Sequence, residues 1–408
     1  MTGMIKAARK TPIDSTQDFE TQIDMTALRS YRLGRVREQL RNRGLGACLL
    51  LDPTNIRYAS GFRLGPIFQM HVPLRYLFIA TDGPAILFGA KSCDLETIDE
   101  IRPGKYIAFF FAGPKIDNSI ASWADEIADL VNEHCGSDAL LAIDRGDARV
   151  FNALRERGVG VCDAQEPLEF ARVIKSREEI LCMNFALATA EIGFSRMHDE
   201  LRPGMTENEF WSILWQTNMA MGGEWIEGRL LSSGDRANPW FQEASDRVIR
   251  PGELVAFDAD MIGPLGYCAD ISRTFRAGPG SPTSEQRDLY RTAHEQLYYN
   301  IDLLNPGLSF RELAEKAWPQ PDIYAANRYV VLAHGVGMCD EYPAIYHLQD
   351  WEAEGYDGTI EANMVLCIES YIGAEGGKQG VKLEEQVLVT ESGYEVLSHF
   401  PFEDALLA

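Results

Sequence analysis

The feature that most constrains this 408-residue chain is a set of acidic residues inside apolar, strand-like segments of its second half. In the run Leu254-Val-Ala-Phe-Asp-Ala-Asp-Met, alternate side chains of a strand share one face, so Asp258 and Asp260 should point the same way. A Gly-Pro-Leu-Gly turn follows, and the chain then returns as the second arm of a hairpin, with Asp270 alongside. Because buried carboxylates are costly without a partner, this pattern calls for a cation.

Two kinds of cation could balance these carboxylates. Arg273 is close enough in sequence to pair with one of them, but three carboxylates that converge on one hairpin favour a metal ion. Further along the chain, His334 lies in a His-Gly-Val-Gly segment, and Glu369 and Glu384 lie in apolar, strand-like runs. Several oxygen donors with one imidazole suit two bridged divalent ions, and they suit iron or manganese at least as well as zinc.

Helical and strand-like segments alternate over the first part of the chain, which is typical of an α/β domain. We predict helices over residues 28–43 and 120–134, a hairpin around Thr81-Asp-Gly, and strands that include Tyr106-Ile-Ala-Phe-Phe-Phe. The predicted organisation is an extended arm over residues 1–30, an α/β domain over residues 31–172, and a second domain over residues 173–408.

The second half contains an internal repeat. The segment Leu201-Arg-Pro-Gly-Met-Thr-Glu-Asn-Glu-Phe matches Leu304-Asn-Pro-Gly-Leu-Ser-Phe-Arg-Glu-Leu, and each copy follows a long helical stretch. In each copy, Pro-Gly ends one helix and a capping box begins the next, with Thr206 and Glu209 in the first copy. A duplicated α/β unit implies pseudo-twofold symmetry, with a site where the two halves meet.

Composition excludes several classes of partner. The chain has 38 basic and 61 acidic residues, a formal net charge of −23 and a pI of about 4.7, which disfavours nucleic acid and anionic membranes. No apolar run reaches the length of a membrane helix, and the first ten residues lack the apolar segment of a signal peptide. Since the eight cysteines include no C-x-x-C pair, we expect free thiols and a cytoplasmic protein.

The order Asp, Asp, His, Glu, Glu resembles that of the pita-bread metalloenzymes, which include creatinase, aminopeptidase P, prolidase and methionine aminopeptidase. The contexts Asp270-Ile-Ser-Arg-Thr-Phe and Arg172-Val-Ile-Lys-Ser are similar to that family, and Asn55-Ile-Arg-Tyr is similar to the creatinase and prolidase branch. The resemblance implies a creatinase-like N-terminal α/β domain followed by a pseudo-twofold pita-bread catalytic domain. It also implies a homodimer.

Three departures from the peptidase pattern are informative. Asp260 stands where peptidases of this family have glycine, and Asp340 stands where they have a second histidine. Phe241, beside Trp240, occupies the place of a further histidine. Both histidines that would hold the tetrahedral intermediate of peptide hydrolysis are therefore missing, which argues against amide hydrolysis.

This altered pattern resembles the dimethylsulfoniopropionate lyases of marine bacteria that are built on the pita-bread fold. The resemblance implies cleavage of a small zwitterionic substrate to acrylate and dimethyl sulfide, with Asp340 as the base and its pKa raised by burial and by Glu341. The implied cofactor is a binuclear divalent metal site that holds iron, and zinc and manganese are the alternatives. The implied ligands are Asp258, Asp260, Asp270, His334, Glu369 and Glu384.

The sulfonium group of this substrate would be held by aromatic faces. Tyr329, five residues before His334, is the first candidate, followed by Trp240 and by Tyr58, which is expected to reach the site of a neighbouring subunit. Two other functions stay open on the sequence. One is an Xaa-Pro-type metallopeptidase, and the other is an inactive pita-bread module that only binds other proteins.

Overall fold

The computed structural model describes residues 23–408, which form two compact units. We call residues 24–172 the N-terminal unit and residues 173–408 the C-terminal unit. Most of the predicted N-terminal arm lies outside the described residues. Its last residues are not extended, because helix α1 begins at Met25, where the Asp24 side chain accepts a hydrogen bond from the Ala27 amide.

The N-terminal unit is a six-stranded mixed sheet with the order β4-β3-β2-β1-β5-β6. Strand β1 pairs antiparallel with β2 and parallel with β5, and β2 and β3 form the hairpin that the Thr81-Asp-Gly turn predicts. The elements are α1 (Met25–Asn42), β1 (Ala47–Leu50), α2 (Pro53–Ser60), α3 (Pro66–His71), β2 (Tyr76–Ala80), β3 (Ala85–Phe88), β4 (Glu100–Arg102), α4 (Phe109–Ala112), α5 (Ile116–His134), β5 (Leu140–Ile143), α6 (Ala148–Arg155), β6 (Gly160–Asp163) and α7 (Gln165–Arg172).

The predicted strand at residues 106–111 is wrong. Phe109 to Ala112 form the short helix α4, and the edge position in the sheet belongs to β4, earlier in the chain. A short apolar run cannot be assigned to a strand or a helix by periodicity alone. These aromatic side chains are also not core residues, since Phe109 is 64% exposed and Phe110 is 70% exposed.

The C-terminal unit contains two three-stranded sheets, β11-β10-β7 and β12-β9-β8, and a five-stranded sheet, β14-β13-β15-β16-β17. Its elements are α8 (Arg177–Glu200), α9 (Glu207–Ala220), β7 (Trp225–Ile226), β8 (Leu231–Ser233), β9 (Leu254–Asp258), β10 (Met261–Ile262), β11 (Cys268–Ala269), β12 (Ser272–Arg276), α10 (Ser284–Ile301), α11 (Phe310–Lys316), α12 (Asp322–Ala325), β13 (Val331–Val336), β14 (Asp340–Tyr346), α13 (Trp351–Glu354), β15 (Val365–Gly373), β16 (Gly380–Thr390), β17 (Gly393–Val396) and α14 (Asp404–Leu407).

Both copies of the sequence repeat adopt the same local structure. A long helix, α8 or α10, ends shortly before the Pro-Gly turn, and a capping box then starts α9 or α11. In the first copy the Thr206 hydroxyl accepts from the Glu209 amide, while the Glu209 carboxylate accepts from the Thr206 amide. The predicted capping boxes are confirmed, and they fix where each inner helix begins.

The central strands β15 and β16 separate the apolar core from the polar site. Leu366 and Ile368 on β15, with Leu383 on β16, belong to the hydrophobic core that contains α10 and α11. Because side chains alternate across a strand, Glu369 on β15 and Glu384 on β16 point to the opposite face, where they are directly paired across the ladder. The sheet therefore holds buried carboxylates on one face by packing its other face on the helices.

No helix in the described part of the chain is both long and apolar enough to cross a membrane.

Candidate metal centre

The first three carboxylates come from two paired β-hairpin segments. Asp258 ends β9 and pairs with Ser272 of β12, while Asp270 lies between β11 and β12. The strand is not continuous through Asp260 as predicted, because this residue has a φ of +38° and separates β9 from β10. Oxygens of Asp258, Asp260 and Asp270 nevertheless lie within 4.8 Å of one another. The predicted hairpin and the convergence of its three carboxylates are confirmed.

The remaining three donors come from the five-stranded sheet. Glu369 and Glu384 face each other on β15 and β16, and His334 lies on the neighbouring strand β13. His334 Nε2 lies 3.4 Å from Asp270 Oδ2 and 3.3 Å from Glu369 Oε1. Its other ring nitrogen, Nδ1, lies 3.1 Å from the Gly335 carbonyl oxygen, to which it can donate. With a hydrogen on Nδ1, Nε2 is left to coordinate a metal ion once its own proton is displaced, as in a metal-ligating histidine.

Several buried oxygens of this cluster lack a hydrogen-bond partner among the described residues. They include Asp258 Oδ1, Asp270 Oδ1 and Glu384 Oε1. Buried polar atoms are normally satisfied, and a carboxylate oxygen can only accept. The same residues form overlapping groups whose donor atoms are close enough for metal coordination, one of them with His334 and one with Glu369. The donor set therefore fits divalent metal ions.

The cation already present in the cluster is Lys382 rather than Arg273. Lys382 Nζ lies 3.1 Å from Asp258 Oδ2, 2.6 Å from Glu369 Oε2 and 3.1 Å from Glu384 Oε2. Arg273 instead forms a fully buried ion pair with Glu385, at 2.8 Å. A basic side chain does pair with these carboxylates, as the ion-pair alternative requires, but it is Lys382 and not Arg273. One ammonium group cannot balance the charge of five carboxylates, so the need for further cations remains.

The pKa values of the cluster reflect this excess of negative charge. Burial and repulsion from neighbouring carboxylates raise the pKa values of Asp260, Asp270 and Glu384 well above the usual range. Burial would also raise the pKa of Asp258, but attraction to the Lys382 ammonium and hydrogen bonds with Glu384, Ser272 and Lys382 together outweigh burial and lower this pKa. Burial alone would lower the pKa of His334, but its hydrogen bond to Glu369 and the surrounding carboxylates raise it to about 10. Metal binding would therefore displace protons from this site.

Asp340 lies beside this cluster at the start of β14, and its Oδ1 is 4.0 Å from His334 Nδ1. Its pKa is raised by loss of hydration and by repulsion from Asp258 and Glu369, against the attraction of His334. The side chain is still 61% exposed, so its loss of hydration is only partial, unlike that of the buried ligands. The adjacent Glu341 carboxylate is paired with Lys175, which differs from the expectation that Glu341 raises this pKa.

Aromatic side chains line one side of the cluster. The half-buried Tyr329 ring lies 4.6 Å from Lys382 Nζ and 5.2 Å from the Phe241 ring. Phe241 is 51% exposed and has a φ of +68°, a strained conformation for a bulky residue. Trp240 is buried against Tyr371, with its ring 6.0 Å from Lys382 Nζ. Tyr329 and Phe241 therefore form the aromatic pair beside the metal donors.

Tyr58 does not belong to this group of aromatics. It lies on α2 of the N-terminal unit, is 1% exposed, and donates its hydroxyl hydrogen to the Ala171 carbonyl oxygen at 2.8 Å. The Arg32 guanidinium lies 5.6 Å from its ring centroid. The described chain therefore holds this side chain inside the N-terminal unit, and its contact with the site of a neighbouring subunit stays a prediction.

Sequence reasoning missed three residues near the cluster. Lys382 could have been found, since it shares a strand face with Glu384, two residues later. The same periodicity places Cys367 beside Glu369, and its Sγ lies among the donor atoms of Asp270, His334 and Glu384. His347 carries no such signal, because only the fold brings it to the Tyr329 backbone, to which it is hydrogen-bonded.

The family models match the two units separately. Residues 32–174 match the creatinase/prolidase N-terminal domain, and residues 182–391 match metallopeptidase family M24. The chain belongs to metallopeptidase family M24, and its C-terminal unit has the pita-bread fold. The predicted fold class is confirmed. Membership of this family implies a divalent metal site, and the carboxylate cluster is where the structure places suitable donors.

Two relatives resemble the chain over nearly its whole length. It is 36% identical to the dimethylsulfoniopropionate lyase DddP of Roseovarius nubinhibens, over 94% of this chain and 88% of that protein. It is 35% identical to the dimethylsulfoniopropionate lyase DddP of Roseobacter denitrificans, with the same coverage. Among solved structures, an Xaa-Pro dipeptidase from Bacillus anthracis superposes with a TM-score of 0.72 at 21% identity, covering 92% of this chain and 98% of that one. At that identity, the likeness to the dipeptidase concerns the fold.

Asp260 offers a direct test of the metal site. Asp260→Gly deletes one donor. It also removes backbone strain, because a positive φ destabilises a residue with a β-carbon by on the order of 1 kcal/mol and does not destabilise glycine. We expect fewer metal ions per chain by elemental analysis, while the thermal unfolding midpoint of the metal-free protein is not lowered. Asp260→Asn is the control, since it removes the charge without relieving the backbone. Full metal content in Asp260→Gly would exclude Asp260 as a ligand.

Proposed function

We propose that this protein is a metal-dependent carbon–sulfur lyase that cleaves dimethylsulfoniopropionate to acrylate and dimethyl sulfide. The observation that carries the proposal is the carboxylate of Asp340 beside the metal donors, where the peptidase pattern has a histidine. The identity of 35–36% to two dimethylsulfoniopropionate lyases over most of the chain supports the same activity.

The reaction is a β-elimination in which Asp340 acts as the base. Its carboxylate takes the proton from the carbon next to the substrate carboxylate, and the electron pair of that bond forms the carbon–carbon double bond. The carbon–sulfur bond breaks, and the positive sulfonium takes its electron pair and leaves as neutral dimethyl sulfide. A raised pKa makes Asp340 a stronger base than an ordinary aspartate. The metal ions, when bound, would hold the substrate carboxylate and stabilise the negative charge that grows there.

We propose a binuclear site that holds iron, and zinc and manganese are the alternatives. The ligands would be Asp258, Asp260, Asp270, His334, Glu369 and Glu384. The five carboxylates and the Lys382 ammonium together carry a charge of −4, which two divalent ions neutralise while His334 binds in its neutral form. A carboxylate-rich donor set with one imidazole is compatible with iron.

The sulfonium head would bind at the aromatic pair formed by Tyr329 and Phe241, with Trp240 supporting it from the buried side. The Lys382 ammonium lies 4.6 Å from the centre of the Tyr329 ring, and this cation–π geometry supports a role for the ring in binding a cation. Burial and repulsion from Glu369 raise the pKa of Tyr329 well above its usual value, so its hydroxyl stays protonated. The pair thus offers neutral aromatic faces to a cation.

The alternative of an Xaa-Pro-type metallopeptidase has weaker support. It rests on the fold shared with dipeptidases and prolidases at about one-fifth sequence identity. The positions of the two peptidase histidines hold Phe241 and Asp340, and Phe241 packs against Tyr329. Phe241 cannot donate a hydrogen bond to a peptide oxygen, and the Asp340 carboxylate that serves as a base can only accept one, unlike the histidines.

We further propose a cytoplasmic homodimer. All eight cysteines, which lie in the described part of the chain, are free thiols, as expected in a reducing compartment. The N-terminal unit exposes the side chain of Phe109 and an aromatic cluster of Phe68, Tyr106, Phe110 and Phe111, in which each ring contacts at least one other. Large exposed apolar patches mark interaction sites in proteins of this kind. Light scattering of the intact protein will measure the mass of the assembly.

The proposed activity is tested by incubating purified, iron-loaded protein with dimethylsulfoniopropionate. We expect dimethyl sulfide in the headspace and acrylate in solution in equal amounts. The matched control is the same protein after chelation, in which both products should disappear. Absence of dimethyl sulfide with iron, zinc and manganese each supplied in turn would contradict the proposal.

Asp340→Asn tests the assignment of the base. Asparagine keeps the shape of the side chain but cannot accept the proton, so lyase activity should fall by roughly 10²–10⁴-fold, as for a lost general base. Metal content should match that of the unmodified protein, because Asp340 is not proposed as a ligand. Joint loss of metal and activity would assign Asp340 to the metal site, and full activity would place the base elsewhere.

Tyr329 tests the sulfonium site. Tyr329→Phe keeps the aromatic face, whereas Tyr329→Ala loses a cation–π attraction and should weaken sulfonium binding about 2- to 30-fold. The control ligand is 3-(methylthio)propionate, which has the same carboxylate but no positive charge. In Tyr329→Ala, the KM for dimethylsulfoniopropionate should rise, whereas the inhibition constant of 3-(methylthio)propionate should not change. Equal loss in the Phe and Ala variants would mean that the hydroxyl, not the ring face, is required.

A further inference from the structure

We propose that a buried ion pair, Lys175 with Glu341, positions Asp340 for proton abstraction. The inference rests on the proposed lyase function and adds two positioning residues to it. Neither side chain is a proposed metal ligand, and neither is proposed to touch substrate. Their role is to set where the first residue of β14 stands relative to the metal donors.

The pair is almost completely buried. Lys175 Nζ lies 2.9 Å from Glu341 Oε2, and the two side chains are 2% and 1% exposed. The other carboxylate oxygen, Glu341 Oε1, accepts a hydrogen bond of 3.0 Å from the Met338 amide. One carboxylate therefore holds both Lys175 and the turn between β13 and β14. Removing one partner of a buried pair leaves an uncompensated charge, so this arrangement is strongly constrained.

Two glycines at this turn are packed so closely against their neighbours that they have no room for a β-carbon. A β-carbon on Gly337 would lie 2.5 Å from Glu341 Oε2, and one on Gly335 would lie 2.3 Å from the Tyr342 carbonyl oxygen. The Gly337 carbonyl oxygen accepts a 2.7 Å hydrogen bond from the Cys268 amide on β11. Since β11 leads directly into Asp270, the turn is connected to the metal-binding hairpin.

The backbone of Lys175 is held by a hydrogen bond next to the strand that carries Glu369. Its amide donates a 2.8 Å hydrogen bond to the Asn363 carbonyl oxygen, just before β15, the strand that carries Glu369. These contacts of Lys175 and Glu341 thus connect β15, the strand that carries the proposed ligand Glu369, to the turn that precedes Asp340. A change in this connection would shift Asp340 relative to the metal donors.

Strand geometry explains why Asp340 depends on its neighbour. Successive side chains of a strand point to opposite faces, so Glu341 points into the protein while Asp340 points toward His334, 4.0 Å away. Because the Asp340 side chain is 61% exposed, packing around it does little to restrict its place. The position of the Asp340 side chain therefore depends on its backbone, which the contacts of Glu341 hold in place.

The test replaces the cation and keeps the catalytic groups. In Lys175→Met, kcat for dimethylsulfoniopropionate should fall about tenfold to a hundredfold, the cost of misplacing a group by about 1 Å. KM and metal content should not change. Lys175→Arg keeps the charge and should recover most of kcat. In an Asp340→Asn background, Lys175→Met should cause no further loss, and an equal loss in both backgrounds would overturn the proposal.

Hydrogen exchange provides a readout that does not depend on activity. Exchange of the amides of residues 335–342 should be faster in Lys175→Met, and in Glu341→Gln if the methionine variant does not fold. Arg247→Met, which breaks a partly buried ion pair with Glu253 in the same unit, is the control and should leave that segment unchanged. Unchanged exchange in both test variants would refute the positioning role. Lack of lyase activity in the unmodified protein would refute the proposed function alone, and exchange would still decide the role of the pair.

Discussion

Five carboxylates meet on one face of the sheets of the C-terminal unit, and four of them, Asp258, Asp270, Glu369 and Glu384, are buried. Their mutual repulsion would oppose folding unless cations balance it. Lys382 supplies one positive charge from within the chain, and the unpartnered carboxylate oxygens leave the remainder to metal ions. The helices on the other face of the central sheet supply the apolar packing that holds these strands together.

Two residues at the site are held in unfavourable backbone conformations. Asp260 and Phe241 both have positive φ, where glycine is favoured. Such strain persists only when the surrounding structure enforces it, and it concentrates at functional sites. In the proposed function, Asp260 adds a metal donor and Phe241 adds an aromatic face next to Tyr329. Two of the three positions at which this chain departs from the peptidase pattern therefore have a strained backbone.

The carboxylate cluster could be predicted from sequence because it depends on strand alternation and on a short hairpin, both of which are local. Capping boxes such as that at Thr206 are local for the same reason. The burial of Tyr58 and the contact between Lys175 and Glu341 depend on how distant segments pack, so the sequence pattern gave no access to them. The helix at Phe109 was missed because a short aromatic run suits either kind of element.

The central claim is that the metal donors of this pita-bread unit serve proton abstraction and not amide hydrolysis. The most direct measurement compares kcat/KM for dimethylsulfoniopropionate with kcat/KM for an Xaa-Pro dipeptide, using one metal-loaded preparation. The account predicts rapid release of dimethyl sulfide and no detectable cleavage of the dipeptide. Efficient dipeptide hydrolysis without release of dimethyl sulfide would contradict it.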